Sequence, residues 1–230
     1  MSVLIAIVVP DSAIIATDSR RIESGGTFRD DYGKTFRPRK GHVIGGHTGL
    51  LEFSGRTVPA WIDSLPDDCF TSLDALATAA KVLFENEMSK IDSSEVEFVH
   101  RLADIVLVGD PDLKISKRLQ SIMAIVLRPH PTSGRVVGEV KQFSGYCATG
   151  DDMAMNAVLG MMEGIRPQNI PTSRLASTAT MLIAFGVKQC GTSRSFPAVR
   201  TCGGPAVLKI LRNGSKKPNK RIHPTPKRRR

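Results

Sequence analysis

Short apolar runs separated by polar turn residues dominate the first part of the chain. Val3–Val9 and Ser12–Thr17 are β-branched apolar runs on either side of Pro10-Asp11, a pattern that predicts a β-hairpin. The polar residues 20–32 predict a loop. Two more strands are predicted at residues 34–37 and 42–48, on either side of a basic turn.

The rest of the chain alternates between helical and strand patterns. Two helices are predicted first: residues 50–65, kinked or interrupted by Pro59, and residues 73–91, capped by Thr71 or Ser72. Three strands, a second pair of helices and a last strand follow; their predicted bounds are 103–109, 121–127, 135–143, 151–164, 172–189 and 206–212. We expect Asp151 and Asp152 to supply negative charge at the start of the third helix, and Thr172 to cap the fourth. This order predicts an α+β fold in which helix pairs cover packed antiparallel sheets.

The formal net charge of +10 is concentrated at the C-terminal end. Residues 215–230 contain eight Lys and Arg and no acid, which leaves a net charge of only +2 for the rest of the chain. We therefore predict one folded domain over residues 1–213 and a basic disordered tail over residues 214–230. Two interpretations of the tail stay open: weak, nonspecific contact with nucleic acid, and a solvated tail without a role.

Targeting and metal-binding signals are not recognisable in the sequence. No run approaches the roughly 18 apolar residues that span a bilayer, and the apolar start of the chain lacks a basic segment and a cleavage site. Four scattered cysteines predict buried free thiols in a reducing compartment. The five histidines form no ligand pattern. We expect a cytoplasmic protein with no membrane contact, no metal and no cofactor.

Ser2 is a candidate nucleophile if Met1 is removed. Methionine removal follows the size of the second residue, and serine is small. Ser2 would then carry both a hydroxyl group and a free α-amine, whose pKa of about 7.7–8.0 leaves a useful neutral fraction near pH 7. Serine is also a common second residue without any catalytic role, so Ser2 alone is a weak signal.

The residues that follow at regular distances strengthen the signal. Asp18 and Lys34 stand 16 and 32 positions after Ser2, within the sequences Ala-Thr-Asp-Ser-Arg and Tyr-Gly-Lys-Thr-Phe. This pattern resembles the N-terminal third of proteasome β subunits and their bacterial relatives, which are N-terminal-nucleophile (Ntn) hydrolases. Weaker similarities follow at the strand end Gly45-Gly46-His47-Thr48-Gly49, at Thr149-Gly150 and at Cys202-Gly203-Gly204.

The resemblance implies a fold, a reaction and partners. The fold is a four-layer αββα sandwich, and the reaction is hydrolysis of peptide amide bonds through an acyl-enzyme on Ser2. Lys34 would lower the pKa of the hydroxyl and amine, and Asp18 would keep Lys34 charged and oriented. The N–H of Gly49 would bind the oxyanion, with Thr149 as a supporting residue and His47 in the substrate pocket. The implied partners are a peptide or unfolded protein substrate, further copies in a homo-oligomeric ring, and an ATPase.

Three departures from the family pattern keep other functions open. The nucleophile is Ser2 where the family usually has Thr, the family's second Asp falls on Val199, and its supporting Ser becomes Cys202. The first alternative is therefore a proteasome-like scaffold without peptidase activity. A nucleic-acid-associated protein that acts through its basic tail is another. Asp18 and Lys34 could also be a purely structural ion pair.

Overall fold

The computed structural model describes residues 2–22, 27–49, 52–90, 102–110, 112–113, 120–130, 132–133, 135–192 and 200–212. The predicted tail, Val199 and the last residue of the predicted 73–91 helix lie outside the described residues. The described part of the chain is a mixed α/β fold with several sheets and four α-helices. Among these residues, no helix is both long enough and apolar enough to cross a membrane.

Strands and helices alternate in blocks along the chain. The strands are β1 Val3–Val9, β2 Ser12–Thr17, β3 Arg21–Ile22, β4 Phe28–Arg29, β5 Thr35–Phe36, β6 Val43–Gly49, β7 Glu52–Phe53, β8 Arg56–Thr57, β9 Ala103–Gly109, β10 Ser121–Pro129, β11 Val136–Phe143, β12 Tyr146–Gly150 and β13 Val207–Arg212. The helices are α1 Val58–Asp63, α2 Leu73–Met88, α3 Asp152–Glu163 and α4 Leu175–Gln189.

Two antiparallel sheets form the centre of the molecule. The first sheet has the strand order β12-β1-β2-β13, so the two hairpin strands at the start of the chain pair with the last two strands of the described chain. The second sheet has the order β11-β10-β9-β6-β5. Two small two-stranded ribbons, β3-β4 and β7-β8, lie outside these sheets.

Strand β1 is buried on both faces because its side chains alternate between two hydrophobic clusters. Val3 and Ile5 belong to the cluster that includes α3 and α4 residues, whereas Leu4 and Ala6 belong to the cluster shared with the second sheet. Burial on both faces explains why this strand is a continuous apolar run instead of an alternating one. The opposite face of the second sheet packs against α1 and α2 through residues such as Trp61 and Phe84.

The hairpin, the second helix and the last strand were predicted correctly. Ser72 caps α2, and its hydroxyl accepts a hydrogen bond from the N–H of Ala75 at 3.1 Å. Asp151 caps α3, where its carboxylate accepts from the N–H groups of Met153 and Ala154 at 3.1 Å each. Each capping residue binds N–H groups that follow it closely in the sequence, so the sequence pattern alone can predict these helix starts.

Three predicted elements differ from the structure. The helix predicted over residues 50–65 is replaced in part by the β7-β8 ribbon, which turns through Ser54 and Gly55 at φ of 50° and 70°. Helix α1 begins only at Val58, so Pro59 lies in its first turn, where the missing N–H has no helical partner to lose. The predicted loop over residues 20–32 contains the β3-β4 ribbon. Thr172 begins a short 3₁₀ turn and provides no side-chain cap to α4.

Candidate active site

The register of the β1-β2 hairpin places Asp18 next to the start of the chain. Leu4 is paired with Thr17, so Val3 and Asp18 are the next residues along the two strands. The backbone N–H of Asp18 donates to the carbonyl oxygen of Val3 at 3.2 Å. In the other direction, the N–H of Val3 donates to Asp18 Oδ1 at 3.1 Å. Asp18 is therefore held at one end of the first sheet, next to Ser2, which directly precedes β1.

Lys34 reaches this position from the facing sheet. It immediately precedes β5, and its carbonyl oxygen accepts a hydrogen bond from the N–H of His47 on β6 at 3.0 Å. Its side chain is buried, and Nζ donates to Ser2 Oγ at 2.5 Å and to Asp18 Oδ1 at 3.1 Å. The structure thus brings together the three residues that the sequence spaces 16 positions apart.

The Asp18 carboxylate accepts a full set of hydrogen bonds. Oδ1 binds the Val3 N–H and the Lys34 ammonium, and Oδ2 accepts from the N–H groups of Arg20 at 3.3 Å and Gly203 at 3.1 Å. Asp18 is completely buried. A buried carboxylate is stable only when its oxygens are paired in this way, so this network holds Asp18 in one orientation.

Opposing effects act on the ammonium group of Lys34. Burial lowers its pKa from the usual value, because the charged form is poorly solvated inside the protein, and the Asp18 charge and hydrogen bond oppose this effect. The net direction is a lowered pKa. A lysine with a lowered pKa that hydrogen-bonds to a serine hydroxyl can exchange a proton with it more readily than an ordinary lysine.

The glycine pair Gly203-Gly204 lies beside Asp18, a position that the sequence pattern alone does not predict. A Cβ on Gly203 would lie 2.2 Å from Arg20 Cζ, and one on Gly204 would lie 2.3 Å from Ser19 Oγ. Arg20 is itself held by a two-pronged ion pair with Asp30, at 2.7 and 2.8 Å. Only glycine allows this close approach, which puts the Gly203 N–H against Asp18.

A second contact fixes the backbone of Ser2. The N–H of Asp151 donates to the Ser2 carbonyl oxygen at 2.6 Å. Gly150, at φ +117°, leaves room for this bond, because a Cβ there would lie 1.9 Å from the same oxygen. Thr201 Oγ1 donates to Asp151 Oδ2 at 2.8 Å and connects this corner to the segment before Gly203. Asp151 therefore holds the Ser2 backbone through its N–H and caps helix α3 through its carboxylate.

Thr149 lies on β12 with its hydroxyl group hydrogen-bonded to the Asp104 carboxylate. Thr48 Oγ1 on β6 lies 3.5 Å from the same carboxylate oxygen. All three residues are buried. Asp104 is a buried acid within the apolar strand β9. It is not among the residues selected from the sequence, although an acid within an apolar strand is a signal that could have pointed to this cluster. Thr149 thus contacts Asp104, and its supporting role for Ser2 stays a prediction.

Gly49 and His47 lie on β6, the neighbour of the strand that follows Lys34. Gly49 ends β6 at φ +79°, and a Cβ there would lie 2.3 Å from the Leu102 carbonyl oxygen. The position therefore requires glycine, whereas the oxyanion role of its N–H stays a prediction. His47 is completely buried, with its ring centroid 6.2 Å from that of Phe36. Its role in a substrate pocket also stays a prediction.

His47 should make the stability of the protein depend on pH. Burial, together with the Lys34 charge, lowers its pKa from 6.5 to about 3. Between these two values the unfolded chain binds a proton at this position and the folded chain does not. The free energy of unfolding should therefore fall as the pH is lowered from about 6.5 towards 3, at up to about 1.4 kcal/mol per pH unit from this group. Urea unfolding across this pH range measures the slope.

Two variants, each with one histidine replaced, isolate the contribution of His47 to the pH dependence. A His47→Leu variant should show a shallower fall between pH 6 and 4 than the wild type. The exposed His130 provides the matched control, and His130→Gln should keep the wild-type slope. Equal slopes in the wild type and His47→Leu would contradict the prediction.

Comparisons with known proteins give a similarity of fold and no similarity of sequence. No known family's sequence profile matches the chain, and no curated protein matches it in sequence. Among solved structures, a mutant of Anbu from Hyphomicrobium sp. strain MC1 matches with a TM-score of 0.60 and 11% identity, over 92% of this chain and 82% of the Anbu chain. Anbu is a bacterial proteasome-like protein of the Ntn-hydrolase type. The chain therefore has a fold similar to that of a proteasome-like protein.

Proposed function

We propose that this chain is a proteasome-like Ntn hydrolase that cleaves peptide amide bonds with Ser2 as its N-terminal nucleophile. The buried Ser2-Lys34-Asp18 chain of hydrogen bonds is the observation that carries the proposal. It joins a hydroxyl, a lysine with a lowered pKa and a fully paired carboxylate at the start of β1. The similarity to Anbu supports the same fold type.

The architecture that belongs to this proposal is a four-layer αββα sandwich. It is supported by the three hydrophobic clusters, one between the two sheets and one on the helix-covered side of each. In this arrangement the start of β1 and the end of β6 lie on facing sheets. A nucleophile on one sheet can then act on a carbonyl group held by the backbone of the other.

The reaction would begin with removal of Met1, which exposes the α-amine of Ser2. Ser2 Oγ attacks the carbonyl carbon of the substrate, and its proton passes to the amine, with Lys34 stabilising the developing negative charge. The Gly49 N–H would donate to the oxyanion. Collapse of the tetrahedral intermediate breaks the C–N bond, and the leaving amine takes the proton. Water then hydrolyses the ester on Ser2 by the same steps in reverse order.

The proposal also covers the substrate, the compartment, the partners and the extent of the folded domain. The substrate is a peptide or an unfolded protein segment, and the protein acts in the cytoplasm as a homo-oligomeric ring with an ATPase as a further partner. The folded domain ends near residue 213, and the basic residues 214–230 add at most weak contact with nucleic acid.

Mass spectrometry of the purified protein tests the nucleophile directly. The intact mass should correspond to the chain without Met1. After incubation with a β-lactone, which acylates an activated hydroxyl, one adduct should form and map to Ser2. Ser12, a buried serine at the other end of β1 and β2, is the internal control and should stay unmodified. A retained Met1, or a folded protein without an adduct at Ser2, would support the scaffold alternative.

A further inference from the structure

Two cysteines lie side by side near Asp18, and the proposed reaction uses neither of them. Cys190 follows the end of α4, and Cys202 follows an isolated bridge between Thr192 and Arg200. The N–H of Cys202 donates to Cys190 Sγ at 3.2 Å, and Cys190 Sγ lies 3.6 Å from the Cys202 carbonyl oxygen. Cys190 Sγ is therefore in direct contact with Cys202, the first requirement for a disulfide between the two residues.

We propose that Cys190 and Cys202 are a redox modification site, where a peroxide converts the two thiols into a reversible disulfide. Cys190 is the residue that peroxide attacks, and Cys202 is the resolving residue. The proposal rests on the contact of Cys190 Sγ with Cys202 and holds whether or not the protein hydrolyses peptides.

The surroundings of the cysteines favour Cys190 as the first residue to react. The Cys202 side chain and the Cys202 N–H, which donates to Cys190 Sγ, favour a negative charge on Cys190. The pKa of Cys190 therefore lies below the usual value, although burial and the nearby Asp151 charge oppose this shift. The same contact raises the pKa of Cys202. Burial raises the pKa of Cys147 to about 12 and also raises that of Cys69, where the Asp68 charge adds to it. Cys190 is thus the only one of the four with a lowered pKa, and peroxides react with thiolates.

The atoms and electrons of the reaction balance with hydrogen peroxide as the oxidant. The Cys190 thiolate attacks one peroxide oxygen, the O–O bond breaks, and the hydroxide that leaves takes up a proton to become water. The sulfur of Cys202 then attacks the sulfenic acid on Cys190. An S–S bond forms, and the S–OH oxygen leaves with the Cys202 proton as a second water molecule. Each sulfur loses one electron, and the peroxide gains two.

Exposure and position are both compatible with this chemistry. Cys190 is 7% exposed, which admits a molecule as small as hydrogen peroxide, whereas Cys202 is completely buried and is reached only from Cys190. Gly203 follows directly and donates its N–H to Asp18 Oδ2. A disulfide at Cys202 would therefore form one residue away from the network that holds Lys34.

The test treats the folded, full-length protein with hydrogen peroxide, alkylates the remaining thiols and analyses a non-reducing tryptic digest by mass spectrometry. Cleavage after Arg200 places the two cysteines on separate peptides. We expect a cross-linked pair of peptides containing Cys190 and Cys202 as the main oxidation product, and we expect a dithiol reductant to reverse it. In concentrated urea, the cross-link between Cys190 and Cys202 should no longer predominate over other cysteine pairs, because unfolding separates the two residues.

Variants distinguish the two roles. Cys69→Ser should form the same cross-link as the wild type. In Cys202→Ser, Cys190 should stop at the sulfenic acid, which a cyclic diketone traps at that residue. The proposal is overturned if both cysteines remain alkylatable at peroxide doses that oxidise Cys69. It is also overturned if Cys190 pairs mainly with Cys69 or Cys147.

Discussion

A Ser2→Ala variant should lose at least about a thousandfold in kcat/KM for the hydrolysis of a peptide amide. The substitution removes one oxygen atom, the one that Lys34 contacts at 2.5 Å. Lys34 keeps its ion pair with Asp18, so the fold should be retained, with a loss of no more than about 1 kcal/mol in the free energy of unfolding. Steady-state hydrolysis of a small fluorogenic peptide and urea unfolding measure the two quantities.

The matched control for this prediction is a serine with the same burial and no catalytic neighbour. Ser12 lies on β2, paired with Val9 at the opposite end of the hairpin, and it is also completely buried. Ser12→Ala should keep the wild-type rate. Ser2→Thr, which retains the hydroxyl group, should keep more activity than Ser2→Ala. If all three variants hydrolyse the peptide at the wild-type rate, Ser2 is not the nucleophile.

Replacement of Asp18 should have the largest effect on stability of any single substitution in the site. Asp18→Ala leaves the buried Lys34 ammonium without its counter-ion and three backbone N–H groups without an acceptor. Removing one partner of a buried ion pair costs about 3–5 kcal/mol, and we expect a loss of this size in the free energy of unfolding. Urea unfolding at constant pH is the measurement.

Two further variants separate the effect of burial from that of pairing. Adding Lys34→Met to Asp18→Ala should recover part of the loss, because the buried cation is then gone. Asp67→Ala breaks the exposed ion pair with Lys40 and should cost less than about 1 kcal/mol. The prediction is wrong if Asp18→Ala and Asp67→Ala lose the same amount.

Much of the site follows from local features of the sequence. The apolar runs of β1 and β2 and the Pro10-Asp11 turn define a hairpin, and the register of a hairpin is set by its turn. This register alone puts Asp18 beside the residue after Ser2. The contact of Lys34 with both of them depends on the packing of two sheets, so its position was predicted by resemblance and not by local pattern.

The parts that could not be predicted depend on distant contacts. Gly203 binds Asp18 across 185 positions of sequence, and Asp104 meets Thr149 across 45. Strand β12 is only five residues long and contains the glycine that lies against Ser2, so its strand character comes from pairing with β1. The spacing of apolar residues also favoured a helix where the β7-β8 ribbon forms. That spacing contains no information about the turn through Ser54, which separates the two short strands.

The strand order of the first sheet has a consequence for synthesis on the ribosome. All strands of the second sheet have been synthesised once β11 has left the ribosome. At that point the hairpin strands β1 and β2 still lack their partners β12 and β13. About 200 residues separate the end of β1 from the start of β13, which corresponds to roughly 10–40 s at about 5–20 residues per second. During this time the apolar hairpin lacks its final neighbours. The first two strands therefore stay without a complete sheet until the last strand has been translated.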